Sequence, residues 1–161
     1  MTAATNRRLA EILSALPTTR ILVVGDLILD RYADGKAQRV SPEAPVLVFE
    51  AGEERYLLGG ACNVAANLRE LGASTSVLGV IGDDEGGRTL RQLLQDADID
   101  TQALVVDSSR PTTRKTRYVA KTMQVLRVDE ESRAPVAGSA EAQMLALLEQ
   151  RPFPWKSVLL S

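Results

Sequence analysis

Two stretches of this chain are apolar without alternation: ILVVG (21–25) and VLGVIG (77–82). A strand with one wet face alternates apolar and polar residues, whereas a strand covered on both faces does not. Both runs therefore read as buried strands, RILVVGD over 20–26 and STSVLGVIG over 74–82. Between them Ala61, Val64, Ala65, Leu68 and Leu71 recur at helical spacing, and Gly72 is a fitting C′ residue. After the second run Asp83 or Asp84 caps a further helix carrying Leu90, Leu93, Leu94 and Ala97. ALVVD (103–107) is a third short strand. Strand alternating with helix specifies a parallel α/β sheet flanked by helices.

The ends carry three more elements. Leu9, Ile12, Leu13 and Leu16 mark an amphipathic helix, with Thr5 or Asn6 as N-cap and Pro17 as its stop. A helix is expected around Met144, Leu145 and Leu148, and WKSVLLS (155–161) begins an apolar strand. A buried strand with nothing after it is an odd end for a domain, so the 161 residues read as the N-terminal part of one longer domain.

Two segments break the alternation. Gly35, Pro42 and Pro45 interrupt residues 32–50, where VLVFE (46–50) reads as an edge strand or part of a small separate sheet. RKTRYVA (114–120) and QVLRVDE (124–130) form an antiparallel ribbon turning at Lys121 and Thr122. Lys115, Arg117 and Val119 share one face of its first strand; Val125, Arg127 and Asp129 share one face of the second. The ribbon could extend the VLVFE strand into a small sheet.

Composition excludes several classes of function. A net charge of −2 offers no global attraction for nucleic acid or an anionic membrane. There is no histidine, which removes Ser-His-Asp and Cys-His catalysis and the commonest zinc ligand. Cys62 is the sole cysteine, so no internal disulfide forms, and a reducing cytoplasm is the expected location. Glu11 interrupts the apolar part of the N-terminus, which does not read as a signal peptide.

The dinucleotide fingerprint G-x-G-x-x-G fails after Gly25, and no G-x-x-x-x-G-K-[ST] occurs. Gly25 and Asp26 close the first strand, where open α/β sheets bind ligands. Asp26 serves equally well as a solvated strand end. Asp30, four residues on, is the better ligand contact, because a carboxylate accepts hydrogen bonds from a polyol. Gly59 and Gly60 open the helix that carries Asn63 in its first turn. Glycines let backbone approach a ligand, and the helix mouth presents free N–H groups; a tight turn and N-cap would need the same residues. GDDEGG (82–87) is explained by a strand-end glycine and an acidic cap, and Cys62 by packing. Lys115, Arg117 and Arg127 are either solvated or, if the ribbon covers the site, holders of a substrate phosphate.

Together these segments resemble the ribokinase-like (PfkB) carbohydrate kinases. GGACNVAANLRELGASTSVLGVIG carries Gly59, Gly60, Ala61, Asn63, Ala65, Gly72 and Gly82 in the family's order, and VVGDLILD and GDDEGGRTLRQLL extend the likeness. GDLILDRYADG, RVSPEAPVLVFE and TRKTRYVAKTMQVLRVDEE are similar to the D-glycero-D-manno-heptose 7-phosphate kinases, including the kinase half of bifunctional ADP-heptose synthesis proteins. Ile28 stands where a ribokinase tends to have a polar residue, which argues against ribose.

The resemblance implies a ribokinase-like parallel sheet with a small β lid from about 32–50 and 112–129, which can pair with a second copy as a homodimer. It implies transfer of the ATP γ-phosphoryl, with Mg2+, to the anomeric hydroxyl of heptose 7-phosphate, toward ADP-heptose and lipopolysaccharide. Asp30, Gly59, Gly60 and Asn63 map onto sugar-contacting positions. The family's catalytic aspartate lies in a GAGD-type motif downstream, and this sequence has none. The chain is therefore expected to hold sugar site and lid, to lack the base and nucleotide site, and to be inactive by itself.

Overall fold

The structure is a computed structural model and describes residues 3–150 and 154–161. It opens with α1 (Ala3–Ala15), a 3-10 turn (Leu16–Thr18) and β1 (Arg20–Val24). Two long strands follow, β2 (Leu27–Val40) and β3 (Leu47–Gly60), then α2 (Ala61–Glu70), β4 (Ser74–Ile81), α3 (Glu85–Asp96) and β5 (Leu104–Val106). The ribbon is β6 (Arg114–Ala120) and β7 (Met123–Glu130); α4 (Gly138–Leu148) and β8 (Ser157–Leu160) complete the order.

The strands form two sheets. One is parallel throughout, in the order β5-β4-β1-β8, as the unbroken apolar runs require. Leu22, Val23, Val77 and Leu78 in its centre are fully buried. Val23 and Val77 pack on one face with Ala61 and Ala65 of α2 and Leu90 and Leu94 of α3. Leu22 and Leu78 pack on the other with Val105 and, from α4, Ala140 and Met144. Helices thus cover both faces, and each fully buried Leu or Val contributes about 1.5–3 kcal/mol relative to exposure.

The second sheet has the order β3-β2-β6-β7, with β2 parallel to β6 and the other pairs antiparallel. It is longer than the interrupted sequence predicts. β2 starts at Leu27 rather than leaving the fold near Tyr32, and VLVFE is the start of a 14-residue strand that runs straight into the paired glycines. The ribbon turns at Lys121, at φ 58°, as expected, but it joins the sheet through β2 and not through the VLVFE strand. Breaks in register between Ala33 and Gly35 and between Lys36 and Arg39 absorb the irregular residues without ending β2.

Several terminal details differ from expectation. Thr5 and Asn6 lie inside α1, so neither is its N-cap. Its apolar stripe remains uncovered, with Leu9, Ile12 and Leu13 at 42–50% exposure. Leu71 is the C-cap of α2 and exposed, while Gly72 takes the positive φ of 95° required at C′. β8 is an edge strand, with Leu160 78% exposed, and is not a buried one.

Candidate sugar site

The expected ligand residues converge where β1 ends and the second sheet begins. Alternation along β2 sends Leu27 and Leu29 into the core and leaves Ile28, Asp30 and Tyr32 on the opposite, half-exposed face. Gly59 pairs with Ile28 and Gly60 with Leu27, so strand pairing fixes Asp30 beside the mouth of α2. A Cβ on Gly59 would lie 2.7 Å from Asp30 Oδ2. Gly60 has φ 54°, and a Cβ there would stand 2.4 Å from the Asp26 carbonyl oxygen. The adjoining Ala61 N–H donates to that same oxygen at 2.9 Å. This chain's own β2 therefore demands both glycines: one clears the carboxylate, the other turns the backbone into the helix.

Gly60 is the N-cap of α2 and supplies no side chain, which leaves the helix mouth without side-chain acceptors. Asn63 in the first turn is exposed, and its amide makes no hydrogen bond to another described residue. Cys62 is fully buried, and burial pushes its thiol up to about 12, in keeping with a packing role. Asp26 is exposed and acts on the fold through its carbonyl.

GDDEGG closes on itself. Asp84 caps α3 by accepting from the Gly87 N–H at 2.8 Å. Asp84 also accepts from the Thr112 N–H at 2.8 Å and hydroxyl at 2.7 Å, while Thr112 Oγ1 accepts from the Gly82 N–H at 2.9 Å. Burial works against the Asp84 charge, but the bonds from Thr112 and Gly87 outweigh it and hold the carboxyl below its ordinary range.

The three expected phosphate-binding cations share the face of Asp30, and each already has a carboxylate. Lys115 Nζ lies 3.3 Å from both Asp129 and Glu131. Arg127 Nε lies 2.9 Å from Asp129. Arg117 donates to Asp30, and that hydrogen bond raises the arginine's pKa. At Asp129 burial opposes the charge, and Arg127 and Lys115 together hold the carboxyl below its ordinary range. Sequence reasoning missed Arg55, whose guanidinium carbon lies 4.5 Å from the Tyr32 ring centroid; that of Arg117 lies 5.3 Å away. Continuing the period-two pattern of β3 back from Gly59 would have placed Arg55 on this face.

A hollow of about 440 Å³ opens beside this cluster, lined by Asp26, Ile28, Lys115, Glu131 and Arg133 among others. Larger hollows of about 580 and 610 Å³ lie by the N-terminal ends of β1 and β4, next to Ser74. Ligands of parallel α/β sheets bind outside the opposite, C-terminal ends, where the hollow of about 440 Å³ adjoins a smaller one of about 200 Å³ lined by Val24, Gly25, Gly79 and Val80. Among the described residues no three acidic or cysteine side chains gather to hold a metal ion. No helix among them is long and apolar enough to cross a membrane.

The family model for pfkB carbohydrate kinases matches residues 18–151. The chain belongs to this family. Among curated proteins it is 42% identical over 150 residues to the "Bifunctional protein HldE" of Wolinella succinogenes, covering 93% of this chain and 32% of that protein. It is 41% identical to the protein of the same name from Pelobacter propionicus, with 96% and 32% covered. The chain thus spans about a third of the length of these relatives. The ribokinase-like fold is shared with solved structures. A putative ribokinase from Agrobacterium tumefaciens superposes with a TM-score of 0.60 at 20% identity, over 88% of this chain and 44% of that one. Arabidopsis thaliana ribokinase, complexed with ribose and ATP, gives 0.56 at 20% identity over 69% and 35%.

Proposed function

We propose that this chain supplies the sugar-binding face and lid of an ATP-dependent, cytoplasmic kinase whose acceptor is D-glycero-D-manno-heptose 7-phosphate. The γ-phosphoryl would go to the anomeric hydroxyl, on the route to ADP-heptose and lipopolysaccharide. One observation carries this: Asp30, a hydroxyl acceptor, shares a sheet face with Lys115, Arg117 and Arg127, three cations suited to a phosphate. The relatives named HldE at 41–42% identity support the same assignment.

Within it Asp30 and Asn63 take sugar hydroxyls, and Gly59 and Gly60 shape the wall between them. ATP and Mg2+ would be held by residues other than these. By itself the 161-residue chain is inactive, because it contains no GAGD-type base; ATP-dependent turnover by it would overturn that. The acceptor is tested with a sugar panel on the full-length protein. Preference for heptose 7-phosphate is expected, and preference for an unphosphorylated hexose, ribose or nucleoside would assign it to another pfkB activity.

The second sheet also favours self-association. Val40, Leu47, Leu57, Met123 and Leu126 are 45–70% exposed along its strands, apolar surface that a second copy would cover in part. A homodimer through this lid is the expected assembly, and a monomer by light scattering at micromolar concentration would reject it.

A further inference from the structure

The strand register of the second sheet lines up an unusual row. Arg55 pairs with Tyr32, Tyr32 with Arg117, and Arg117 with Arg127, so three arginines and one tyrosine cross four strands on a single face. The neighbouring row is Leu57, Asp30, Lys115 and Asp129. Like charges directly opposite one another destabilise a sheet. Each arginine here relieves this by leaning along the strands onto a carboxylate: Arg55 onto Asp34 at 3.4 Å, Arg127 onto Asp129, and Arg117 onto Asp30.

The last of these pairs differs in kind. Asp34 and Asp129 have no sugar role in the proposal, whereas Asp30 is the carboxylate assigned to the hydroxyls. Arg117 holds Oδ1 of Asp30, and Oδ2 faces Gly59, where an added Cβ would lie 2.7 Å away, so a sugar hydroxyl reaching this carboxylate meets Arg117 as its competing donor. Both side chains are about one-fifth exposed, so neither can be stripped of its partner without leaving a poorly hydrated charge. A neutral sugar that took Asp30 would strand the guanidinium. A phosphate arriving with the sugar would replace the lost acceptor, and the arginine fork suits its geometry. The Tyr32 ring beneath Arg117 gives the guanidinium a surface to pivot on. Lys115 is the less exchangeable cation, being held by Asp129 and Glu131 together.

We infer that Arg117 is an exchangeable counter-ion. It masks Asp30 in the free site and transfers to the phosphate of an incoming sugar phosphate, which seats on the row of Arg55, Arg117 and Arg127 and so releases Asp30 to the sugar hydroxyls. No bond is made or broken covalently; two ion pairs are exchanged. Selectivity for a phosphorylated acceptor then arises at the hydroxyl end of the site as well as at the phosphate. This rests on the proposal that the acceptor is a sugar phosphate.

The test is equilibrium binding of heptose 7-phosphate and unphosphorylated heptose to the full-length protein and to Arg117→Met, which keeps the stem over Tyr32. Affinity for the phosphate is expected to fall roughly 10- to 100-fold in the variant, the loss of charge-assisted hydrogen bonds. Affinity for the unphosphorylated sugar is expected to rise several-fold (roughly 3- to 10-fold), because Asp30 is unmasked. Arg117→Lys should recover part of the phosphate affinity. An equal loss for both sugars would overturn the exchange and make Arg117 a positioning residue. An unchanged affinity for the unphosphorylated sugar would overturn it too, leaving a plain phosphate contact. Wild-type preference for the unphosphorylated sugar would instead reject the proposed acceptor, a result that does not depend on the variant.

Discussion

Two glycine-rich mouths open helices in this fold, at Gly59–Asn63 and at Gly82–Gly87, and they look alike in sequence. In the second, the Gly82 and Gly87 N–H groups and both oxygens of Asp84 are met by Thr112 or by the helix mouth itself. In the first, the backbone is met by Asp26 and the glycine surfaces by Ile28 and Asp30, but the helix mouth has no side-chain cap and Asn63 has no partner among the described residues. A self-satisfied mouth is a strut. A mouth whose outward groups stay free is the one proposed above to receive a ligand.

Substitution should separate the two. The largest effect is expected for Gly60→Ala, which meets both a positive φ and a carbonyl oxygen at 2.4 Å; a loss of about 3 kcal/mol is predicted, read from urea unfolding. Asp84→Ala removes the α3 cap and orphans Thr112, and should cost about 2–3 kcal/mol with sugar affinity retained by the folded fraction. Sugar binding lost at full stability in that variant would break the distinction.

The acid side of the stability curve sharpens it. The Asp84 carboxyl is held below its ordinary value of 3.8, so its contribution is full above that pH and disappears as pH falls through the lower folded value. The stability gap between wild type and Asp84→Asn should therefore be widest near neutrality and narrow below pH 3.8. A gap that is constant with pH would mean that the cap acts without its charge. The smallest stability effect belongs to Asn63→Ala, within about 0.5 kcal/mol of wild type, although sugar affinity should drop. A large drop in melting temperature for this variant would return Asn63 to a structural role.

What was legible followed simple periods. The short unbroken runs at 21–25 and 77–82, bounded by glycine, read as doubly covered strands, and the alternation of Lys115 and Arg117 fixed one face of the ribbon. The resemblance then placed Asp30, the glycines and Asn63 together, and strand pairing does bring Asp30 to Gly59. The rest depended on contacts between distant positions. No local signal says that Thr112 reaches back to Asp84. None says that β6 runs parallel to β2, since an antiparallel ribbon can join a sheet by either strand. The length of β2 was hidden because Gly35 and its register breaks read as an end. The arginine row is a property of four aligned strands, and no single strand shows it.

The unbroken passage of β2 from the core to the tip of the second sheet has a mechanical consequence. Leu27 and Leu29 are clamped in the core while Val40 stands in solvent, so the strand is a beam fixed at one end. At about 3.3 Å per residue its 14 residues span roughly 46 Å, and a tilt of about 5° at the base would carry the tip about 4 Å. The bond from Ala61 N–H to the Asp26 carbonyl straddles that base. Whatever settles against the glycine pair therefore works at the fulcrum, where a small displacement sets the position of everything beyond it.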